Sequence, residues 1–239
     1  MQNAAPTMES AVASIDPTAQ QRIISMLERI KEDPHLELEA RIGRYVHDRF
    51  QPGIPRGHMD SIVRFLDSCP DVVCETSQWE EEENFMFQHD GINMRTRVRF
   101  PAAGVEASTV AKTVVESLIL RTRVLDVRIC LARETPVTSP PLAASTDHVR
   151  IKQVRRWIVG RSPFRIDCST VWCGKTRTET EARQSTQNGV YEVECEFDLH
   201  RDDCQWKEAY RSPARLVMSL VYKMADLLMS PGVHFELLC

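Results

Sequence analysis

The chain has 239 residues, 42% of them hydrophobic and 27% charged, which is enough for a sizeable core and ordinary for a soluble protein. Its net charge of -4 excludes a surface that is cationic all round, while leaving room for a local basic cavity. No apolar run reaches the roughly 20 residues that a membrane helix needs, so no membrane partner is expected.

Residues 1–15 are small and polar and read as a disordered tail, without the basic start or apolar stretch of a signal peptide. Residues 16–239 read as a single domain with packing helices at both ends. Asp16-Pro17 is a helix start, and Ile23, Ile24, Leu27 and Ile30 recur at helical spacing until Pro34 breaks the run. Leu36 to Ile42 follows as a strand ending near Gly43. Asp60 to Phe65 opens a second helix, closed before Pro70.

From Val72 to about Leu199 most segments alternate or are rich in Val, Ile, Thr and aromatics, and they read as strands. These are Val72 to Trp79, Asn84 to His89, Ile92 to Phe100, Leu118 to Val124, Leu125 to Arg133, His148 to Val159, Phe164 to Trp172, Lys175 to Arg183 and Tyr191 to Leu199. Lys112 to Ser117 fits helical spacing weakly. Glu80 to Glu83 reads as a solvated turn. His89-Asp90-Gly91 and Gln187-Asn188-Gly189 carry hairpin signals. Pro213 to Met229 closes the chain as an amphipathic helix. Many short strands framed by a few helices imply one antiparallel sheet that curls or closes. The eight cysteines form no CxxC pair, so they read as free thiols rather than a zinc site. The seven histidines show no ligand spacing.

The charges fall in an unusual place. Glu37 and Glu39 share one face of their strand, with Leu36, Leu38 and Ala40 on the other. Glu192, Glu194 and Glu196 repeat the pattern opposite Val193, Cys195 and Phe197. Arg95, Arg97 and Arg99 alternate in the same way, as do Arg121 and Arg123, and Arg150, Lys152 and Arg156; Arg155 has the other parity. If the sheet closes and helices cover its apolar outside, these charges line the lumen. Stacked charges there need water or a ligand. Carboxylates suit a hard divalent cation, and arginines suit phosphates.

Four segments in order are similar to those of the triphosphate tunnel metalloenzymes. Leu36 to Gly43 resembles their first glutamate strand and Tyr191 to Phe197 their last. Asp126 to Glu134 and Phe164 to Val171 resemble strands of the metal-dependent RNA 5′-triphosphatases of fungi and protozoa, and the compact length resembles the trypanosomatid members. The resemblance implies a closed eight-stranded antiparallel β-barrel with flanking helices. It implies removal of the γ-phosphate from the 5′-triphosphate end of nascent RNA, with Mg2+ or Mn2+ as cofactor. By motif match Glu37, Glu39 and Glu196 would hold the metal, Glu194 would complete the acidic wall, and Glu192 would pair with a basic residue. Glu134 would orient or activate the attacking water, and Asp167 would fix neighbouring basic side chains. The phosphate clamp would come from Arg95 or Arg97, Arg121 or Arg123, and Arg150 and Lys152 with Arg155 or Arg156. Arg41 stands where the family often has Lys. Nuclear residence, a monomer and a capping guanylyltransferase acting next follow from the same likeness. Two other readings remain: a tunnel phosphatase acting on thiamine triphosphate, inorganic triphosphate or free nucleotides, and a non-catalytic polyanion-binding barrel.

Overall fold

The computed structural model describes residues 16–76, 78–100, 104–121, 125–138, 146–160 and 163–197, together with Leu220 and Met224. The tail at 1–15 and most of the helix expected at Pro213 to Met229 lie outside these residues. Leu220 and Met224 are helical, and both are buried in the core.

Helix α1 (Pro17–Glu32) starts where Asp16 Oδ1 accepts from the Thr18 N–H at 3.1 Å. That bond satisfies a backbone donor left open at a helix start, and Pro17 needs none. Strand β1 (Leu36–Val46) then turns through His47 and Asp48, at φ 49° and 59°, into the short β2 (Arg49–Pro52). Next come helix α2 (Arg56–Ser68), β3 (Val72–Cys74), β4 (Glu80–His89) and β5 (Ile92–Arg99). The β4–β5 hairpin turns at Asp90 and Gly91, with φ 51° and 76°, the left-handed pair that a two-residue turn requires. Strands β6 (Glu106–Leu120), β7 (Asp126–Pro136), β8 (His148–Val159) and β9 (Phe164–Gly174) follow, then helix α3 (Arg177–Thr186) and β10 (Val190–Phe197).

Every strand pairing is antiparallel. β1 pairs with β7, followed in order by β6, β5, β4, β8, β9 and β10, and β10 returns to β1. The eight strands therefore close into a barrel, while β2 extends β1 and β3 lies against β8. Closure removes the exposed edges that an open sheet of this size would present.

The barrel is apolar outside and charged inside. Leu36, Leu38, Ala40 and Ile42 of β1 face outward and join Ile23, Met26, Leu27 and Ile30 of α1 in one buried cluster. Met59, Ile62 and Leu66 of α2 belong to the same cluster, with Trp157, Phe164, Ile166 and Val193. Each such large side chain, fully buried, contributes roughly 1.5–3 kcal/mol. The helices give the apolar outer wall its cover, and the polar face is left to line the lumen.

Several expected elements differ. Lys112 to Ser117 is strand, within β6. A bulge between Val114 and Glu116 inserts a residue and reverses the alternation, which produces spacing that resembles a helix. Beyond the bulge Glu116 accepts from Arg22 and Arg29 of α1, at 3.0 and 3.2 Å. Lys175 to Arg183, expected as strand, is mostly α3, because the Thr176 hydroxyl caps the Glu179 N–H and Glu179 reaches back to the Lys175 N–H. Gln187-Asn188-Gly189 therefore joins a helix to a strand and is no hairpin. The strand expected over Val72 to Trp79 shortens to β3.

Candidate functional site: a charged tunnel

The lumen is a cavity of about 450 Å³ lined by ten Arg and Lys residues against seven Asp and Glu residues. It lies in the size range of small-ligand sites. Glu134 and Glu192 also pair with its Arg95 and Arg150, so cations and acids nearly balance around it.

One wall is acidic, built by β1 and β10. Glu39 and Glu196 are register partners across the strand pair, with Glu194 opposite Arg41. Glu37 lies two residues before Glu39 on the same face. Each carboxylate is held by cations. Lys112 Nζ lies 2.8 Å from Glu37, 2.8 Å from Glu134 and 3.6 Å from Glu39. Arg41 bridges Glu39 at 2.9 Å and Glu194 at 3.4 Å. Lys152 reaches Glu194 at 3.5 Å, and Arg150 holds Glu192 with one Nη at 2.8 and 2.7 Å. Arg165 pairs with Glu196 and with Asp167. Asp167 also faces Arg156, at 3.5 Å.

These neighbours set the ionisation states. Burial alone would raise Glu194, but Arg41, Lys152 and Arg150 hold it well below the usual carboxylate range. Burial would likewise raise Glu134, and the Glu37 carboxyl, Arg95 and Lys112 hold it low. Glu196 goes the other way: burial raises it, and the nearby Glu37 and Asp167 raise it further against the pull of Arg165.

Among the described residues no three acidic, histidine or cysteine side chains converge closely enough to grip an ion as they stand. The donor chemistry nevertheless fits a hard divalent cation. Glu37, Glu39 and Glu196 offer only carboxylate oxygens, and the raised Glu196 marks a corner where negative charge is crowded. A cation held there would take the place of Lys112 and Arg165 as partner.

The opposite wall is basic. Arg95 donates one Nη to both Glu134 oxygens, at 2.8 and 3.0 Å. Arg97 lies 3.4 Å from Glu82. Arg41, Arg95, Arg97, Arg128 and Arg156 each keep a buried Nε without a hydrogen-bond partner. Those of Arg97 and Arg156 have carboxylate oxygens only at 3.4 and 3.5 Å, and buried donors normally find closer partners, so this cluster of guanidinium nitrogens points to an anion as the missing acceptor.

Two of the expected clamp residues do not line the tunnel. Arg121 ends β6 outside it, 48% exposed, stacked 4.1 Å from the Tyr45 ring and bonded to the Tyr45 carbonyl. Arg155 points outward to Asp67 at 2.9 Å and to Cys74, so Arg156 is the lumen residue of that pair. Arg123 lies outside the described residues. Glu80 to Glu83 is not a solvated turn but the start of β4. Glu82 faces the lumen and accepts from Arg156 at 2.9 Å, Arg99 at 3.3 Å and Asn84 at 2.9 Å. Glu80 accepts from Arg156 at 2.7 Å, and Glu83 faces outward to Arg177 of α3 at 2.8 Å. Lys112 and Glu82 are thus site residues that the pattern reading passed over, because a bulge disguised one and an unbroken acidic run the other.

No family model matches the chain, and no curated protein does either. Solved structures do. The S. pombe Pct1 RNA triphosphatase superposes with a TM-score of 0.62 at 16% identity, covering 95% of this chain and 96% of that one. The mimivirus capping enzyme triphosphatase superposes with a TM-score of 0.54 at 13% identity, covering 85% and 98%. The chain shares the closed-barrel tunnel fold of these two structures. These likenesses concern the path of the backbone; the chemistry rests on the side chains that line this tunnel.

Proposed function

We propose that the chain is a metal-dependent RNA 5′-triphosphatase, which removes the γ-phosphate from nascent RNA and leaves a 5′-diphosphate for cap addition. The observation that carries this reading is the cluster of buried arginine Nε atoms without a hydrogen-bond partner around one cavity that also holds the carboxylate wall. Glu37, Glu39 and Glu196 would hold Mg2+ or Mn2+. Bound there, the cation supplies Lewis-acid neutralisation of the phosphate oxygens.

The chain's own residues supply the rest. Arg41, Arg95, Arg97, Arg150, Lys152 and Arg156 bind the triphosphate, and glutamates already hold their charged ends. That preorganisation stabilises charge in the transition state without rearrangement. Glu134, held low by Arg95 and Lys112, stays an acceptor at neutral pH and orients the water. Water attacks the γ-phosphorus, the bond to the β–γ bridging oxygen breaks, and the protons of the water leave on dihydrogen phosphate. Glu194 keeps Arg41 and Lys152 aligned, and Asp167 keeps Arg156 and Arg165 aligned.

A capping guanylyltransferase would act next on the diphosphate end, and the nucleus is where that chemistry belongs. A monomer suffices, since one barrel holds the whole set. The trypanosomatid likeness rests on chain length. Phosphate release from γ-labelled triphosphate-ended RNA, with Mg2+ or Mn2+ and with EDTA, tests the reading beside ATP and inorganic triphosphate. Release of only the terminal phosphate from RNA, abolished by EDTA, is expected. Turnover of the small triphosphates alone would keep the tunnel and discard the capping role; silence on every substrate would favour a binding barrel.

A further inference from the structure

Beyond the tunnel, the β1–β2 hairpin carries side chains that the phosphate chemistry does not use. Tyr45 and Phe50 are cross-strand partners. Tyr45 has the same parity as Glu37, Glu39 and Arg41, so both rings share the sheet face of the lumen residues but lie beyond the cavity lining. The Phe50 ring lies across Gly43: a Cβ added at Gly43 would come within 2.7 Å of the ring and 2.3 Å of the Gln51 carbonyl oxygen. Arginines stack on both rings. Arg128 sits 5.0 Å from the Phe50 centroid, and Arg121 4.1 Å from that of Tyr45. Arg128 also reaches back to Glu39 at 3.5 Å, which ties the platform to the acidic wall. Asp126 accepts from the Tyr45 N–H at 2.6 Å and faces Arg121 at 3.4 Å, fixing the ring and its cation together. Arg44 and Arg49 are exposed on the same hairpin.

Aromatic rings interleaved with arginines are what single-stranded RNA uses: bases stack on rings and guanidinium planes, and phosphates meet the charges. We propose that the β1–β2 hairpin binds the RNA chain behind its triphosphate end, stacking a base on the Phe50–Arg128 and Tyr45–Arg121 platform. This rests on the reading of the tunnel as an RNA triphosphatase and deepens it, since free triphosphate has nothing to place there. The cationic residues and the continuity with the tunnel through Arg128 select a polyanion with planar groups.

The test is equilibrium binding in EDTA of a short fluorescent RNA bearing a 5′-triphosphate, compared with inorganic triphosphate. In Phe50→Ala and Tyr45→Ala, RNA affinity is expected to fall about tenfold, roughly one lost base stack, with inorganic triphosphate affinity within about twofold of wild type. Phe50→Leu keeps apolar volume over Gly43 without a flat ring, so it should fail like Phe50→Ala. RNA affinity unchanged in the alanine variants, restored by Phe50→Leu, or lost in equal measure for both ligands would overturn the proposal. Phosphate release assayed in parallel separates the two readings: wild type that binds RNA through the hairpin but releases no phosphate would sink the phosphatase, not the platform.

Discussion

Glu39 and Glu196 face each other at the centre of the acidic wall, and each tests the metal assignment by its own loss. Glu39→Ala and Glu196→Ala should each lower phosphate release by about 100-fold or more while the far-ultraviolet circular dichroism stays that of wild type. Near-wild-type release in both, at saturating metal, would remove them from the site. Lys112 makes a different argument, because it touches Glu37, Glu39 and Glu134 at once. Lys112→Met keeps the stem and leaves three carboxylates facing one another. The expected loss is roughly 2 kcal/mol in urea unfolding, less than for a fully buried pair because Arg95 still holds Glu134. An unchanged midpoint would mean that those carboxylates find water instead.

At the scale of elements, alternation was legible and its interruptions were not. β1 and β10 read directly from sequence because charged and apolar residues keep strict parity from Leu36 to Ile42 and from Tyr191 to Phe197. β6 did not, because its bulge shifts parity in mid-strand, so Lys112 faces the lumen and Glu116, four residues on, faces α1. α3 was hidden by Thr and charged residues that alternate by chance, although Thr176 and Glu179 carried the capping signal. The β1–β2 hairpin depends on Gly43, which alone admits the close approach of β2. Gly43→Ala should push β2 away and cost about 1–3 kcal/mol, read as a lower urea midpoint with an unchanged slope. Full retention of the midpoint would show that the hairpin yields without strain.

For the whole molecule, the lumen couples stability to pH and to anions. Glu82 has its carboxyl held down to about 2: burial opposes this, and Arg97, Lys152, Asn84 and Arg156 outweigh it. A carboxyl with a depressed folded pKa stabilises the protein fully above its unfolded value near 4.5, and that contribution disappears as pH falls from about 4.5 to 2. The loss is roughly 3 kcal/mol. Glu82→Gln should flatten that part of the acid-unfolding curve, and a variant that loses stability with the wild-type slope would assign the acid transition elsewhere. The buried arginine Nε atoms around the cavity predict the second effect. Inorganic triphosphate, added in EDTA at about 100 times its Kd, should raise Tm by about 5 °C or more. A Tm that does not move would mean that the unsatisfied arginines do not meet an anion.

Sequence alone determined the class of fold and which charges share a strand face, because strand parity is local: two successive side chains must point to opposite faces, whatever surrounds them. Glu37 with Glu39, Arg95 with Arg97, and Glu192 with Glu194 and Glu196 could be assigned to common faces on that ground. Tertiary structure decided which face closes inward, since only the cover given by α1 and α2 lets the apolar side stand outside. It also decided partners. Arg155 and Arg156 are adjacent in the chain, yet one bonds Asp67 outside the barrel and the other Glu82 within it. Parity separated them but could not say which side was the lumen. Arg121 shows the same limit: it lies where the strand ends, and past that point the stacking offered by Tyr45 outweighs any periodicity. Ion pairs between strands far apart in sequence depend on stagger and closure, and those are properties of the assembled barrel.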